Sequence, residues 1–252
     1  MKFLELILQQ KQIEIRDMQD ETPRKIRETY SFVEHLRKNR EKIHIIGEVK
    51  RASPSLGDIN MGVDVALQAR NYEKGGASAI SVLTDESFFK GNIDDLKKVA
   101  AAVKIPVLNK DFILDKKQIN RAINAGATMV LLIVAALNEK ELRELYDYAK
   151  SLGLDVLVEV HSLEELRIAQ KLKVDLIGVN NRNLKTFTVG LENSIELAKE
   201  FSTDAVYISE SGFKTAEDVK KVAKFFDGVL VGETLMKARD IASKIEELRV
   251  SR

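Results

Sequence analysis

Eight short apolar runs recur along the chain, and each gives way to a stretch in which apolar and charged positions follow helical spacing. The runs are Ile45–Lys50, Ala79–Thr84, Pro106–Lys110, Met129–Val134, Asp155–Val160, Asp175–Asn180, Ala205–Glu210 and Gly228–Gly232. Their apolar residues are continuous rather than alternating, as in parallel strands covered by helices. Segments such as Glu139–Ser151 and Leu163–Leu172 put apolar residues three and four apart with charges opposite, which predicts amphipathic helices. Eight strand–helix units, starting about 20 to 34 residues apart, predict an α/β chain folded as a single (β/α)8 TIM barrel. Residues 45–236 carry the barrel pattern, and residues 1–40 predict an N-terminal helical extension of one or two helices. A doubly wound sheet fits less well, because the eight regular units come without a dinucleotide fingerprint.

Element ends are written locally. Ser162 with Glu165, Asp115 with Gln118, and Thr215 with Asp218 have the spacing of capping boxes that start helices soon after strands. Gly75–Gly76, Gly126 and Gly153 stand where a helix must stop before the next strand.

Composition narrows the class. With 252 residues, one large barrel can bury a full core without staples. The 40 basic and 39 acidic residues nearly cancel, which argues against nucleic acid or an anionic membrane as the main partner. There is no cysteine, hence no disulfide, thiolate metal site or cysteine nucleophile. The first 20 residues are amphipathic but charged, unlike a signal peptide. The longest apolar run, Met129–Leu137, falls far short of the ~20 residues that span a bilayer, so a cytoplasmic protein is expected.

In a barrel of this kind the chemistry sits at the C-terminal ends of the strands, and here those ends are polar. The first run ends in Glu48–Val49–Lys50, the third in Lys110 followed by Asp111, the fifth carries Glu159, the sixth Asn180 and the seventh Glu210. Strand side chains alternate, so Glu48 and Lys50 share one face and Val49 takes the other. Glu48 and Lys50 alone could be a structural ion pair. The recurrence of Lys110, Glu159 and Glu210 at matching heights on separate strands favours an active-site ring instead.

Ser211–Gly212 follows the seventh run and Gly232–Glu233 the eighth, the positions at which barrels commonly bind phosphate. Either pair alone could be an ordinary turn or cap. At a phosphate site the Glu233 carboxylate must point away and leave its N–H to the anion. The loop Ala52–Ser53–Pro54–Ser55 offers hydroxyl donors after the first run, and Arg182 is either a surface charge or a fork for a carboxylate. His35, His44 and His161 are scattered and form no ligand set; His161 could reach the mouth of the barrel, but a capping or surface role is expected for it. Phe88 and Phe89 are expected partly in the core, with one ring free to stack on a planar substrate.

The segments EVKRASPS from Glu48, PVLNKDF from Pro106, VLLIVAAL from Val130, LVEVH from Leu157, GVNNRNL from Gly178, SESG from Ser209 and LVGETLM from Leu230 resemble the indole-3-glycerol phosphate synthase family in order and position. The resemblance implies closure of an indole ring from 1-(2-carboxyphenylamino)-1-deoxyribulose 5-phosphate, with loss of carbon dioxide and water and with no metal or organic cofactor. It carries the general acid of ring closure onto Lys110, carboxylates of acid–base work onto Glu159 and Glu48, and a second lysine onto Lys50. Asn180 and Glu210 become polar catalytic-site residues, and Ser53 and Arg182 substrate-anion contacts. Phe89 and Phe112 flank the aromatic ring, while Ser211, Gly212, Gly232 and Glu233 hold phosphate. Asn109, Gly47 and Phe213 depart mildly from the family pattern, and none of them removes a reactive group.

Two steps of chemistry follow from that resemblance. Ring closure needs an acid at the ketone oxygen, for which Lys110 is the choice. Dehydration needs an acid and a base, with Lys50 as the acid and either Glu159 or Glu48 as the base. The expected partner is a small anionic aromatic sugar phosphate, and the expected assembly a monomer or weak homodimer. Rivals are a catalytically silent phosphate-binding barrel, a thiamine phosphate synthase-like protein, or phosphoribosylanthranilate isomerase. The isomerase typically relies on a cysteine that this chain lacks.

Overall fold

The computed structural model describes residues 3–24, 27, 29–54, 57–184, 186–202 and 204–252. Ser55 of the loop singled out above, and Met1 and Lys2 of the N-terminal segment, lie outside the described residues. Eight strands close into an all-parallel barrel: β1 (His44–Val49), β2 (Ala79–Leu83), β3 (Val107–Lys110), β4 (Met129–Ile133), β5 (Asp155–Val160), β6 (Leu176–Asn180), β7 (Val206–Glu210) and β8 (Gly228–Val231). Each run of the sequence pattern yields one strand within a residue or two of its expected ends. β1 closes the ring between β8 and β2, with Gly47 opposite both Val231 and Ile80.

Alternation along the strands divides the interior in two. Ile45, Val49, Ile80, Val130, Val158 and Val229 face outward into the cluster shared with the surrounding helices. Ile46, Leu108, Leu131, Leu157, Ile208 and Leu230 face the lumen and form a separate core. The expectation that Val49 turns away from Glu48 therefore holds. Helices bury one stripe against the outer face. In the helix Glu139–Ser151, Leu142, Leu145, Tyr146 and Ala149 are buried at helical spacing, each large side chain contributing about 1.5–3 kcal/mol of burial.

Two of the three expected capping boxes close, at Asp115 with Gln118 and at Thr215 with Asp218. The third closes only halfway. Ser162 caps Glu165 N, but the Glu165 carboxylate accepts from His161 N at 2.8 Å, one residue earlier than a box requires.

The N-terminal extension supplies two helices, and they cap opposite ends of the barrel. α2 (Phe32–Lys38) plugs the N-terminal mouth, where Phe32, Val33 and Leu36 join the lumen core. Asp155, the first residue of β5, holds it there by accepting from Phe32 N at 2.6 Å and from Ser31 Oγ at 3.0 Å. α1 (Phe3–Asp17) lies across the opposite mouth. Its Lys11 is buried between Asp85 and Asp111, each 2.9 Å away and just beyond β2 and β3, with Glu14 at 2.7 Å.

Candidate active site

Above the apolar layers of the lumen the side chains become ionic. Glu48, Lys110, Glu159, Asn180 and Glu210 occupy the last inward positions of their strands, and Lys50 the next one beyond β1. One pocket at this end of the barrel is lined by Glu48, Lys50, Ser53, Phe89, Lys110, Phe112, Glu159, Asn180, Arg182, Glu210, Ser211, Gly212, Gly232 and Glu233. All fourteen residues to which the resemblance gives a site role therefore line a single cavity.

At its floor, Lys110 Nζ lies 2.7 Å from Glu210 Oε2 and 3.2 Å from Glu159 Oε2. Burial disfavours the ammonium, but the carboxylates of Glu210, Glu159 and Glu48 more than reverse that and raise its pKa. The same burial pushes Glu210 up; Lys110 pulls it back and the negative charges of Glu159 and Glu48 push it up again, to about 7. Burial also opposes ionisation of Glu159, yet Lys110, His161 and a hydrogen bond from Asn180 hold it below the usual carboxylate range. Two buried carboxylates beside one ammonium are thus shifted in opposite directions by their surroundings.

Glu48 and Lys50 form a second pair at 2.8 Å. Burial raises the Glu48 pKa, and Lys50 and Lys110 outweigh it and lower it. Two glycines make room for these groups. A Cβ on Gly178 would meet Glu210 Oε1 at 2.1 Å, and one on Gly232 would meet Glu48 Oε1 at 2.5 Å and Lys50 Nζ at 2.9 Å.

The rim carries a pair of phenylalanine rings and the turns that follow β7 and β8. Phe89 and Phe112 sit with ring centroids 6.2 Å apart and a 36° tilt. The loops after β7 and β8 are tied by Thr234 Oγ1, which donates to Phe213 O at 2.6 Å. Ser211 has φ of 72°, an uncommon conformation for a residue with a side chain, and its hydroxyl donates to Asn180 Oδ1 at 3.0 Å. Glu233 pairs with Lys237 at 2.7 Å, so its carboxylate runs along its own helix. Arg182 also lines the pocket rather than the outer surface, with one guanidinium N–H donated to Phe187 O at 3.3 Å.

Two contributions depart from what the sequence led us to expect. Phe3, Leu4 and Ile7 of α1 roof the pocket, and Phe3 packs edge-on against both Phe88 and Phe187. The only local signal was the amphipathic pattern of α1. His161 was expected in a capping or surface role, and that expectation is corrected. Its side chain is 10% exposed, and Nε2 lies 3.1 Å from Glu159 Oε1. His161 follows Glu159 by two residues, so the alternation that separates Glu48 from Val49 could have found it.

A family model described as indole-3-glycerol phosphate synthase matches residues 2–248. A protein of that name from Streptococcus pneumoniae (strain Hungary19A-6) is 53% identical over 251 residues, spanning 100% of this chain and 98% of its own length. Another from Lactococcus lactis subsp. lactis (strain IL1403) is 53% identical over 253 residues, spanning 100% and 96%. Among solved structures, 3-hexulose-6-phosphate synthase from Salmonella typhimurium superposes with a TM-score of 0.66 at 16% identity, over 82% of this chain and 96% of that one. Thiamine phosphate pyrophosphorylase from Pyrococcus furiosus superposes at 0.61 and 20% identity, over 84% and 95%. These two likenesses are of fold alone.

Proposed function

We propose a role for each of these side chains from one premise: the chain belongs to the indole-3-glycerol phosphate synthase family. It is an enzyme of tryptophan biosynthesis, a carboxy-lyase that converts 1-(2-carboxyphenylamino)-1-deoxyribulose 5-phosphate into indole-3-glycerol phosphate, carbon dioxide and water. The observation that carries the division of labour is the Lys110 ammonium held between Glu159 and Glu210 at the floor of a pocket rimmed by phenylalanines and glycine turns.

The substrate carries roughly three negative charges near neutral pH. Backbone N–H groups at Ser211, Gly212, Gly232 and Glu233 take the phosphate, while Ser53 and Arg182 take the remaining anion contacts. Phe89 and Phe112 receive the aromatic ring. In ring closure the aromatic carbon bearing the carboxylate attacks the ketone carbon, and Lys110 delivers a proton to the oxygen as charge develops there. Carbon dioxide then leaves, and the electron pair of the broken bond returns to the ring. This step needs no external electron sink, so no cofactor is called for.

In dehydration the new hydroxyl leaves as water with a proton from Lys50, and the neighbouring methylene carbon gives a proton to a base. Glu48 is committed to Lys50, which favours Glu159 as that base. Glu210, with its pKa near neutrality, re-protonates Lys110 between turnovers, and Asn180 orients Glu159. Every residue in this scheme comes from one chain, which fits a monomer or weak homodimer. No described helix is long and apolar enough to cross a membrane. A charged intermediate stays in the compartment that makes it, which favours the cytoplasm. Incubation with the carboxyphenylamino substrate, read by indole fluorescence, tests the scheme; Lys110→Ala must slow the signal by orders of magnitude while phosphate-loop variants chiefly raise KM.

A further inference from the structure

Two carboxylates flank Lys110, and only one of them is held from behind. Glu210 meets the ammonium through Oε2, while its Oε1 lies over Gly178 with no hydrogen-bond partner among the described residues. Glu159 meets the ammonium through Oε2 and turns Oε1 toward His161 Nε2 at 3.1 Å. That contact is a close approach of charges rather than an aligned hydrogen bond. Behind it, His161 Nδ1 lies 3.3 Å from Glu165 Oε2, and the same oxygen accepts the His161 backbone N–H at 2.8 Å.

This explains why the capping box at Ser162 stays half open. Glu165 stands three residues after the cap, where it would ordinarily accept from the Ser162 N–H. It accepts from His161 instead, at both the backbone and the ring.

We infer that His161 is a positioning residue: anchored by Glu165, it fixes the Glu159 carboxylate against Lys110 and decides which of the two flanking carboxylates serves as the base. The inference rests on the base role proposed for Glu159. The charged groups that face His161 are Glu159 from β5 and Glu165 from the helix Leu163–Lys171. Burial opposes the imidazolium, but the contacts to these two carboxylates outweigh it and push its pKa up to about 10. His161 is therefore a cation throughout the physiological range, and among the described residues Glu159 has two cations beside it where Glu210 has one. Carboxylates crowded around one ammonium do not both ionise cheaply, so the extra cation determines which one gives up its proton.

The test combines an imidazole NMR titration with kinetics. In the wild-type enzyme His161 should titrate near 10, and in Glu165→Gln and Glu159→Gln it should titrate lower. His161→Gln should lower kcat roughly tenfold to a hundredfold with KM nearly unchanged, as expected when a reacting group loses its alignment. The acid limb of its kcat profile should move to higher pH, because Glu159 loses one of its two cations. His161→Lys, which restores a cation, should recover part of the loss and move the limb back. Titration of wild-type His161 near its ordinary 6.5, or a His161→Gln enzyme with wild-type kcat and acid limb, overturns the inference. Undiminished turnover in Glu159→Gln would instead remove the base role beneath it. Should His161→Gln not fold, Glu165→Gln keeps both His161 and Glu159 and decides the matter through the same titration and acid limb.

Discussion

Nζ of Lys11 lies 2.9 Å from Oδ1 of Asp111, although the two residues stand a hundred positions apart and belong to a roof helix and a barrel strand end. The lysine side chain is 1% exposed and is shared with Asp85 and Glu14. Burial disfavours its charge, and Asp111 and Asp85 outweigh that and raise its pKa. Lys11→Ala removes the cation paired with two buried carboxylates and leaves Asp111 only the more distant Arg121, at 3.9 Å, a loss of about 3–5 kcal/mol in comparable buried pairs. It should fall first on the docking of α1 rather than on the barrel. Hydrogen exchange across residues 3–17 should therefore quicken and KM should rise, because Phe3, Leu4 and Ile7 line the pocket. Unchanged protection of that helix would show the contact to be dispensable.

The same relationship shows where sequence reading ends. The barrel was legible because every strand is a buried run and the helices repeat one amphipathic pattern. The ionic ring was legible for a related reason: strand alternation fixes which side chains share the lumen, so Glu48, Lys110, Glu159 and Glu210 could be placed at one height from their positions alone. Lys11 was not legible, since its partners Asp85 and Asp111 are brought to it only by closure of the barrel. Nor could the two extension helices be sent to opposite mouths. What separates them is tertiary: Asp155 at the foot of β5 holds one, and the acids beyond β2 and β3 hold the other. His161 lies between these cases, because its alternation with Glu159 was available and a capping assignment obscured it.

Lys110→Ala should lower kcat by about 10²–10⁴ without unfolding the barrel. The cost in stability should depend on pH. With the ammonium gone, Glu159 and Glu210 face each other in a buried site, and the variant must take up a proton to keep them there. Melting temperatures measured at pH 5.5 and pH 8 should therefore diverge from wild type more at the higher pH. An equal deficit at both would mean that the carboxylates move apart to solvent.

Glu210 sets a separate slope. Its folded pKa of about 7 lies above the ordinary 4.5, so between these values the folded protein binds more protons than the unfolded chain. The stability it contributes is complete below about pH 4.5 and is lost as pH rises through 7. Glu159 is shifted the other way, and its contribution is lost as pH falls. Denaturant unfolding of wild type and Glu210→Gln should isolate the first effect. The variant should gain on wild type between pH 5 and pH 8, and a constant difference would contradict the raised pKa.

Asp155→Ala addresses the far mouth. The carboxylate caps α2 through Phe32 N and Ser31 Oγ, and its removal strands donors against the plugged end of the lumen. A loss of about 1–3 kcal/mol is expected in unfolding free energy. Turnover should hold, because Asp155 and Glu159 are at opposite ends of the same strand. A drop in kcat at a temperature where the variant remains folded would mean that the plug and the site are coupled.

Gly178→Ala and Gly232→Ala test whether the ionic ring depends on missing side chains. In each case the nearest atoms to an added methyl are the ends of charged side chains: Glu210 Oε1 at the first site, Glu48 Oε1 and Lys50 Nζ at the second. Such ends can move where backbone could not, so both variants should fold. The movement has different consequences. At position 178 the methyl drives Glu210 off its seat and disturbs the contact with Lys110, which should lower kcat and leave KM nearly as it was. At position 232 it separates Glu48 from Lys50 beside the turn proposed for phosphate, so KM should rise together with the fall in kcat. Steady-state kinetics on both variants distinguishes the two sites. If Gly178→Ala raised KM as Gly232→Ala does, Glu210 would belong with the binding groups rather than with the proton-handling ones.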